Sequence, residues 1–367
     1  MTTKNKQADE LTGLLAMSGE LPLEAVYRLG GGRQYKVKLV INLRKSGVIK
    51  THNKDGLRGH RLTAETKKTL MLSNPERFSF YLTGDVDTNK IPSSITRRLR
   101  LHRVANALVT MYNAGVEIFR DRKESVFNSQ NIHSIKIDKP CFYTSREFKE
   151  IGRKMEKVKN GRAVGMLLTG AEIFTVYNTE NYTMKWDYNS ELDMKSIVSI
   201  YLSQQRGLNQ KMNGLLLGNN MEMLLTVLAG DEQNKRGYFF LDNTFDRFIY
   251  LTNDRCGEIL LRLLCDGAMR AELDEILRQN LNPPDKQLHI ENDAIDKESG
   301  RPVLFAYLPD MPRLARFCTS LVRQEQTGSV ICFDFQEKAL SEYCGNIVEF
   351  EAIDFAEFER SFFGEGS

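Results

Sequence analysis

The sequence predicts an α/β protein built from a small basic head, rich in helix, and a larger acidic body of alternating strands and helices. Three observations lead there. Charge divides along the chain: residues 1–125 hold 23 Lys and Arg against 12 Asp and Glu, and residues 126–367 hold 28 against 36. A modest net charge of +3 therefore hides a head of +11 and a body of −8. Apolar residues of the head recur at helical spacing. In the body, short near-continuous apolar runs alternate with amphipathic stretches, the pattern of strands buried on both faces. A chain of 367 residues exceeds one small core, and the natural divisions are 1–74, 75–125 and 126–367.

In the head, Leu11, Leu14 and Leu15 share one helical face, which predicts a helix over 8–18. Pro22 suits the first turn of a second helix carrying Leu23, Val26, Tyr27 and Leu29. Gly30, Gly31 and Gly32 end that helix and let the chain turn. A third helix runs from Gln34 to Ser46, with Gly47 just beyond it. At 100° per residue, Leu39, Val40 and Leu43 gather on one side, while Gln34, Lys38, Asn42 and Lys45 share the other. Arg33 and Arg44 flank that polar face, and the helix contains no acid. Amides can read base edges with two hydrogen bonds, and cations suit phosphate or guanine.

The β-branched run "VIKT" at 48–51 then predicts a strand, Asp55-Gly56 a two-residue hairpin turn, and "LRGHRLT" the returning strand. His52, Lys54, Arg58, His60 and Arg61 line this hairpin, and Thr63 is placed to cap a fourth helix. Three helices, a basic hairpin and a closing helix, in that order, describe a winged helix-turn-helix. Such a unit sends its third helix into the major groove and lays its hairpin on flanking phosphate. Residues 28–68 carry 12 bases and 2 acids, which favours a phosphate partner over a protein one. The glycines do not form a nucleotide-binding loop: a helix precedes them, and no Gly-Lys-Ser/Thr follows.

Residues 74–94 read as a mixed linker. A helix follows, capped by Ser93 or Ser94 and closed by Gly115. Its first half carries Arg97, Arg98, Arg100, His102 and Arg103, and its second half is apolar at Ala105, Leu108, Val109 and Tyr112. Two readings stay open: Arg97, Arg98 and Arg100 as secondary phosphate contacts, or a connecting helix whose arginines pair with the acidic body.

The stretch "LRKSGVIK…GHRLTAETKKTL", followed by "LHRVANAL" with His102 and Asn106 in an H-x-x-x-N arrangement, resembles the replication-relaxation family of plasmids and integrative conjugative elements. The resemblance covers roughly the first 120 residues. It implies a DNA-binding protein of a mobile element, acting in replication, mobilisation or their control, and it brings no catalytic residues with it.

In the body, "YTSREFKEIGRKMEKVKNG" predicts a capped helix. "RAVGMLLTG" and "EIFTVYNT" predict two strands joined at Gly170-Ala171, and "YTMKWD" a third; "SELDMKSIVSIYLS" predicts a helix and "GLLLG" a buried strand. That order is the order of a restriction-endonuclease-like core, which holds Mg²⁺ with an acid on its second strand and an E-x-K on its third. Glu172 is the candidate first acid and Lys185 the candidate lysine, but Thr183 stands where the second carboxylate belongs. Glu191, on the next helix, is the substitute. A degenerate, non-catalytic core is the favoured expectation, with a nuclease or a ligand-sensing regulator as alternatives.

Later runs, from "YFFLDN" and "RFIYLTN" to "PVLFAYLPD", "SVICFDF" and "NIVEFEAI", alternate with helices and predict parallel sheet. Asp310 and Asp334 fall near strand ends, where either a ligand or a helix N-terminus would use them. Asp293, Asp296 and Glu298 lack the spacing of a calcium loop and read as a solvated turn. The six cysteines and five histidines show no metal-ligand spacing, so neither metal nor cofactor is expected. The polar N-terminus and the absence of long apolar runs predict a cytoplasmic protein off the membrane. Double-stranded DNA is the expected partner; a second copy of the chain and replication or relaxosome proteins stay open as further partners.

Overall fold

The computed structural model describes residues 3–127, 134–149, 151, 161–230, 238–239 and 241–364, and it is a mixed α/β structure with three sheets. The head comprises α1 (Thr3–Ser18), β1 (Leu21–Pro22), α2 (Leu23–Arg28), α3 (Arg33–Lys45), β2 (Ile49–Lys54), β3 (Leu57–Leu62), α4 (Ala64–Ser73) and α5 (Pro75–Leu82). Leu11, Leu14, Leu15, Val26, Leu39, Val40 and Leu43 are buried together, as their helical spacing requires. Of the three consecutive glycines only Gly31 takes a left-handed backbone, with φ of 98°, which a side chain would oppose. The hairpin turn has φ of 53° at Asp55 and 76° at Gly56, the mirror-image turn that suits the twist of paired strands. β2 and β3 pair from Ile49↔Leu62 to Lys54↔Leu57, and β1 adds a third strand through Leu21↔His60. Thr63 caps α4 by accepting from the Thr66 amide.

Residues 74–94 are not a free linker. Asn74 and Pro75 start α5, whose Phe78, Tyr81 and Leu82 are buried in the same core as α1. Next comes α6 (Ile95–Asn113), the helix on which the molecule is assembled. Leu101, Ala105, Leu108 and Val109 are all buried, and α6 packs against α1, β1 and α2 of the head.

The body begins with β4 (Cys141–Thr144), α7 (Ser145–Phe148), β5 (Gly165–Leu168), β6 (Ile173–Glu180), α8 (Tyr188–Arg206), β7 (Met212–Gly218), α9 (Met221–Ala229) and β8 (Phe248–Thr252). The sheet runs β4-β5-β6-β7-β8, antiparallel through β6 and parallel from β6 to β8. Thr144 and Glu147 form the capping box of α7; most of the helix read over 143–161 lies outside the described residues. One antiparallel partner of β5, the strand β4, precedes the helix, where the sequence placed none. The strand expected at 182–187 does not form; it contributes a single bridge, Lys185↔Tyr238. Glu180 ends β6 with φ of 57°, and Met184 and Trp186 alternate because both side chains enter an aromatic cluster with Tyr177, Phe239 and Phe248. The run "YFFLDN" includes Phe240, outside the described residues, and Tyr238 forms only that bridge.

The chain continues through α10 (Arg255–Cys265), α11 (Gly267–Arg278), β9 (Leu281–Asn282), β10 (Ala294–Asp296), β11 (Pro302–Phe305), α12 (Met311–Arg323), β12 (Gly328–Phe333), α13 (Asp334–Cys344), β13 (Val348–Ile353) and α14 (Phe355–Phe363). β11, β12 and β13 pair in parallel, so the βαβαβ rhythm yields a second sheet, with β10 and β9 antiparallel at its edge. Both sheets are covered on two faces. Val176, Leu215, Leu217, Ile249 and Leu251 face one core, while Tyr177, Leu216, Phe248 and Tyr250 face the other. That alternation explains runs that are apolar at every position.

Candidate nucleic-acid interface

The polar side of α3 points to solvent. Arg33, Gln34, Lys38, Asn42, Arg44 and Lys45 are all exposed. The side chains of Gln34, Lys38, Asn42 and Lys45 make no hydrogen bond or ion pair with any described residue. From Gln34 to Lys45 the face extends about 16 Å, at 1.5 Å per residue. Two residues the sequence reading passed over complete it: Val37 and Ile41, exposed at 38% and 42%, sit between the amides at i+3 and i+4 spacing. Apolar side chains there suit thymine methyl groups. Their signal was present, since a helix needing only Leu39, Val40 and Leu43 for its core leaves Val37 and Ile41 unexplained.

The hairpin sorts its cations differently from the expectation. Lys54 and Arg58 are exposed beside the turn, and Lys50 is exposed further along β2. His60 and Arg61, expected on the surface, are buried at 1% and 8% exposure. His60 shares a hydrogen bond with Thr51 at 3.1 Å. Burial, reinforced by Arg58 and Arg44, pushes its pKa down to about 4, so near neutral pH it carries no charge for a phosphate. Arg61 donates to Glu20 through Nε at 2.9 Å and Nη2 at 2.7 Å.

Glu20 is the centre of the head. Its carboxylate has no exposed surface and also accepts from Arg98 (2.6 and 3.1 Å) and meets His102 at 3.0 Å. Arg98 is itself fully buried and donates to the backbone carbonyls of Lys54 (3.2 Å) and Leu57 (2.8 Å). Arg98 is therefore no phosphate contact; it positions the hairpin. Burial alone would raise the Glu20 pKa, but hydrogen bonds from His102, Arg98 and Arg61 outweigh it and hold the carboxyl far below its usual range. The sequence carried a hint, because a lone acid inside the apolar run "MSGELPL" requires buried partners. Of the other α6 arginines, Arg97 pairs with Asp87 at the surface, Arg100 is exposed, and Arg103 lies 3.8 Å from Glu180 in the body.

The candidate nuclease residues are not brought together. Glu172 precedes β6 and Lys185 lies past its far end, so the eight-residue strand, about 26 Å at 3.3 Å per residue, stands between them. Glu172 is engaged by Arg247, by Arg270 at 3.0 Å and by Asn213 at 3.3 Å. Glu191 is buried, accepting from the Arg162 amide (2.6 Å) and the Tyr177 hydroxyl (2.9 Å), and burial raises its pKa. Asp310 accepts from the Phe248 amide at 3.2 Å, and Asp293 accepts from Phe305 and pairs with Arg313 at 2.8 Å. Asp334 accepts from the Phe335 amide at the start of α13. Among the described residues no group of three or more His, Cys, Asp or Glu is placed to hold a metal ion, and no helix is long and apolar enough to cross a membrane.

No family model matches the chain, and neither a curated protein nor a solved structure is similar to it.

Proposed function

We propose that the chain binds double-stranded DNA through a winged helix, with α3 in the major groove and the β2–β3 hairpin on the flanking backbone. One observation carries this reading: α3 presents an acid-free face in which the side chains of Gln34, Lys38, Asn42 and Lys45 bond no described residue, beside the exposed Val37 and Ile41, with Arg33 stacked on Tyr27 at its start. A helix that served only solubility would alternate its charges. Lys54 and Arg58 supply phosphate contacts beside the turn, and Arg98 fixes where the hairpin lies.

The sequence resemblance supports an activity in replication or mobilisation of a mobile element, or in their control. The β5–β6 hairpin, with β7 added in parallel through α8, supports reading the body as a restriction-endonuclease-like sheet. With Glu172 neutralised by two arginines, that sheet serves as a platform, not a nuclease.

The test is selection of bound fragments from a host genome, followed by anisotropy titrations on the selected site. Asn42→Ala or Lys38→Ala costs about 1–3 kcal/mol at that site and little elsewhere. Lys54→Ala or Arg58→Ala weakens all sequences alike and flattens the salt slope by about 0.9 per lost contact. Affinity indifferent to salt removes the proposal.

A further inference from the structure

On the side of α6 away from Glu20 lies a cleft of about 790 Å³. One wall is α6 itself, with Thr96, Leu99, Arg100 and Arg103; the other is the loop 181–185 and the start of α9. The cleft opens at the C-terminal ends of the parallel strands β6 and β7, the position at which open α/β sheets take ligands. Among the described residues, five cations line it: Arg100, Arg103, Lys149, Arg162 and Lys185. Acids are fewer. Among the described residues Glu222 is the one acid in the lining; Glu180 stands behind Arg103, and Glu191 is buried beneath Arg162. Arg100, Arg162 and Lys185 are exposed, and the buried Nε of Arg103 has no hydrogen-bond partner among the described residues.

The rim is shaped by backbone strain. β6 shifts register between Asn178 and Glu180, and Glu180 takes a left-handed conformation that a side chain disfavours. The conformation is held by Asn106, which donates to the Glu180 carboxylate at 2.7 Å, and by Asn178, which accepts from its amide at 3.1 Å. Its result is to turn Tyr182 outward, 73% exposed at the mouth of a cationic groove. An acid-poor groove beside an exposed aromatic ring is the combination that tracks a single strand: cations follow the phosphates and a base stacks on the ring.

We propose that this cleft binds single-stranded DNA. The choice of DNA rests on the duplex-binding reading of the head and on proximity. Arg98, on the same stretch of α6, bonds the hairpin turn, while Arg100 and Arg103 turn into the cleft. The hairpin and the cleft are thus separated by about one helix diameter, roughly 10–12 Å. A strand leaving a duplex at the hairpin has only that distance to cover.

The experiment titrates the full chain with a labelled, mixed-sequence single-stranded oligodeoxynucleotide across a salt series. Tyr182→Ala weakens binding about tenfold, the loss of one stacked base. Arg162→Ala with Lys185→Ala lowers the salt slope by about 0.7 per contact. Duplex affinity stays unchanged in both, and thermal unfolding confirms that they fold. Asn42→Ala does the reverse, weakening duplex and sparing the single strand, so failure of one reading is distinguishable from failure of the other. Unchanged single-strand binding in the cleft variants overturns the inference. So does displacement of the oligonucleotide by ATP at matching site concentration, which would make the cleft a mononucleotide site, or equal competition by an acidic peptide.

Discussion

Glu20→Gln should unfasten the head. The substitution keeps the shape of the side chain but removes the carboxylate that, among the described residues, alone bonds Arg61, Arg98 and His102. Five contacts of 3.1 Å or less converge on it, and two of the donors are guanidinium groups that cannot shed their charge. Removing one partner of a buried ion pair costs about 3–5 kcal/mol, mostly because the remaining charge stays buried without compensation. Urea unfolding followed by far-UV circular dichroism measures the loss; fluorescence does not, since the one tryptophan, Trp186, lies in the body. Amide exchange of Leu57–Leu62 should quicken at the same time, because Arg98 no longer sits where it holds Leu57.

A triple variant, Glu20→Leu with Arg61→Met and Arg98→Met, separates charge from position. It leaves no guanidinium buried and should recover most of the stability. It should still bind duplex DNA weakly, because the hairpin carbonyls of Lys54 and Leu57 lose their donor. Stability of Glu20→Gln within about 0.5 kcal/mol of the parent, or hairpin exchange that does not change, refutes the reasoning.

Acid should also loosen the head through two groups of the same sign. His60 has its folded pKa pushed down to about 4 from 6.5, so its contribution is complete above 6.5 and lost as pH falls towards 4; an NMR titration of its ring should give that low midpoint. Glu20, with its folded value far below the ordinary 4.5, keeps its contribution above that range and loses it at still lower pH. In the body, Glu172→Gln should cost about 1–3 kcal/mol by leaving Arg247 and Arg270 without their shared anion. The parent chain should show no Mg²⁺-dependent cleavage of plasmid DNA; cleavage that disappears in Lys185→Ala would restore the nuclease reading.

Local rules made most of the head legible. Helix spacing placed α2 and α3, the Asp55-Gly56 pair placed the turn, and Thr63 placed the cap, each because the determinant lies within a few residues of its effect. The misreadings at Arg61 and Arg98 share one cause. A basic residue on a strand or helix carries the same letter whether it faces phosphate or a buried carboxylate, and Glu20 lies 41 residues from Arg61 and 78 from Arg98. The strand wrongly read at 182–187 has a similar origin: alternating Met184 and Trp186 reflect a shared aromatic cluster, not a sheet. Glu172 and Lys185 looked like a motif because only their separation in sequence was visible, and β6 then carried them to opposite ends.

The contacts across α6 bear on how the two proposed sites would act together. Arg28, just before the turn into α3, bonds Glu258 on α10 at 2.6 Å, and Asn113 bonds the same carboxylate at 2.9 Å. Asn106 and Arg103 reach Glu180 at the edge of the cleft, and Asn178 donates to the Arg103 carbonyl at 2.9 Å. To swing the head relative to the body, the chain would have to withdraw Arg28 from Glu258 and break the packing of α6 against α10 or against the head. Head and body are thus tied together at both ends of α6, and on the proposed reading they would meet DNA as one piece. If both proposed sites are used, a duplex on α3 and a strand in the cleft would be held at a spacing set by α6, and a junction between the two forms would then bind more tightly than either one alone.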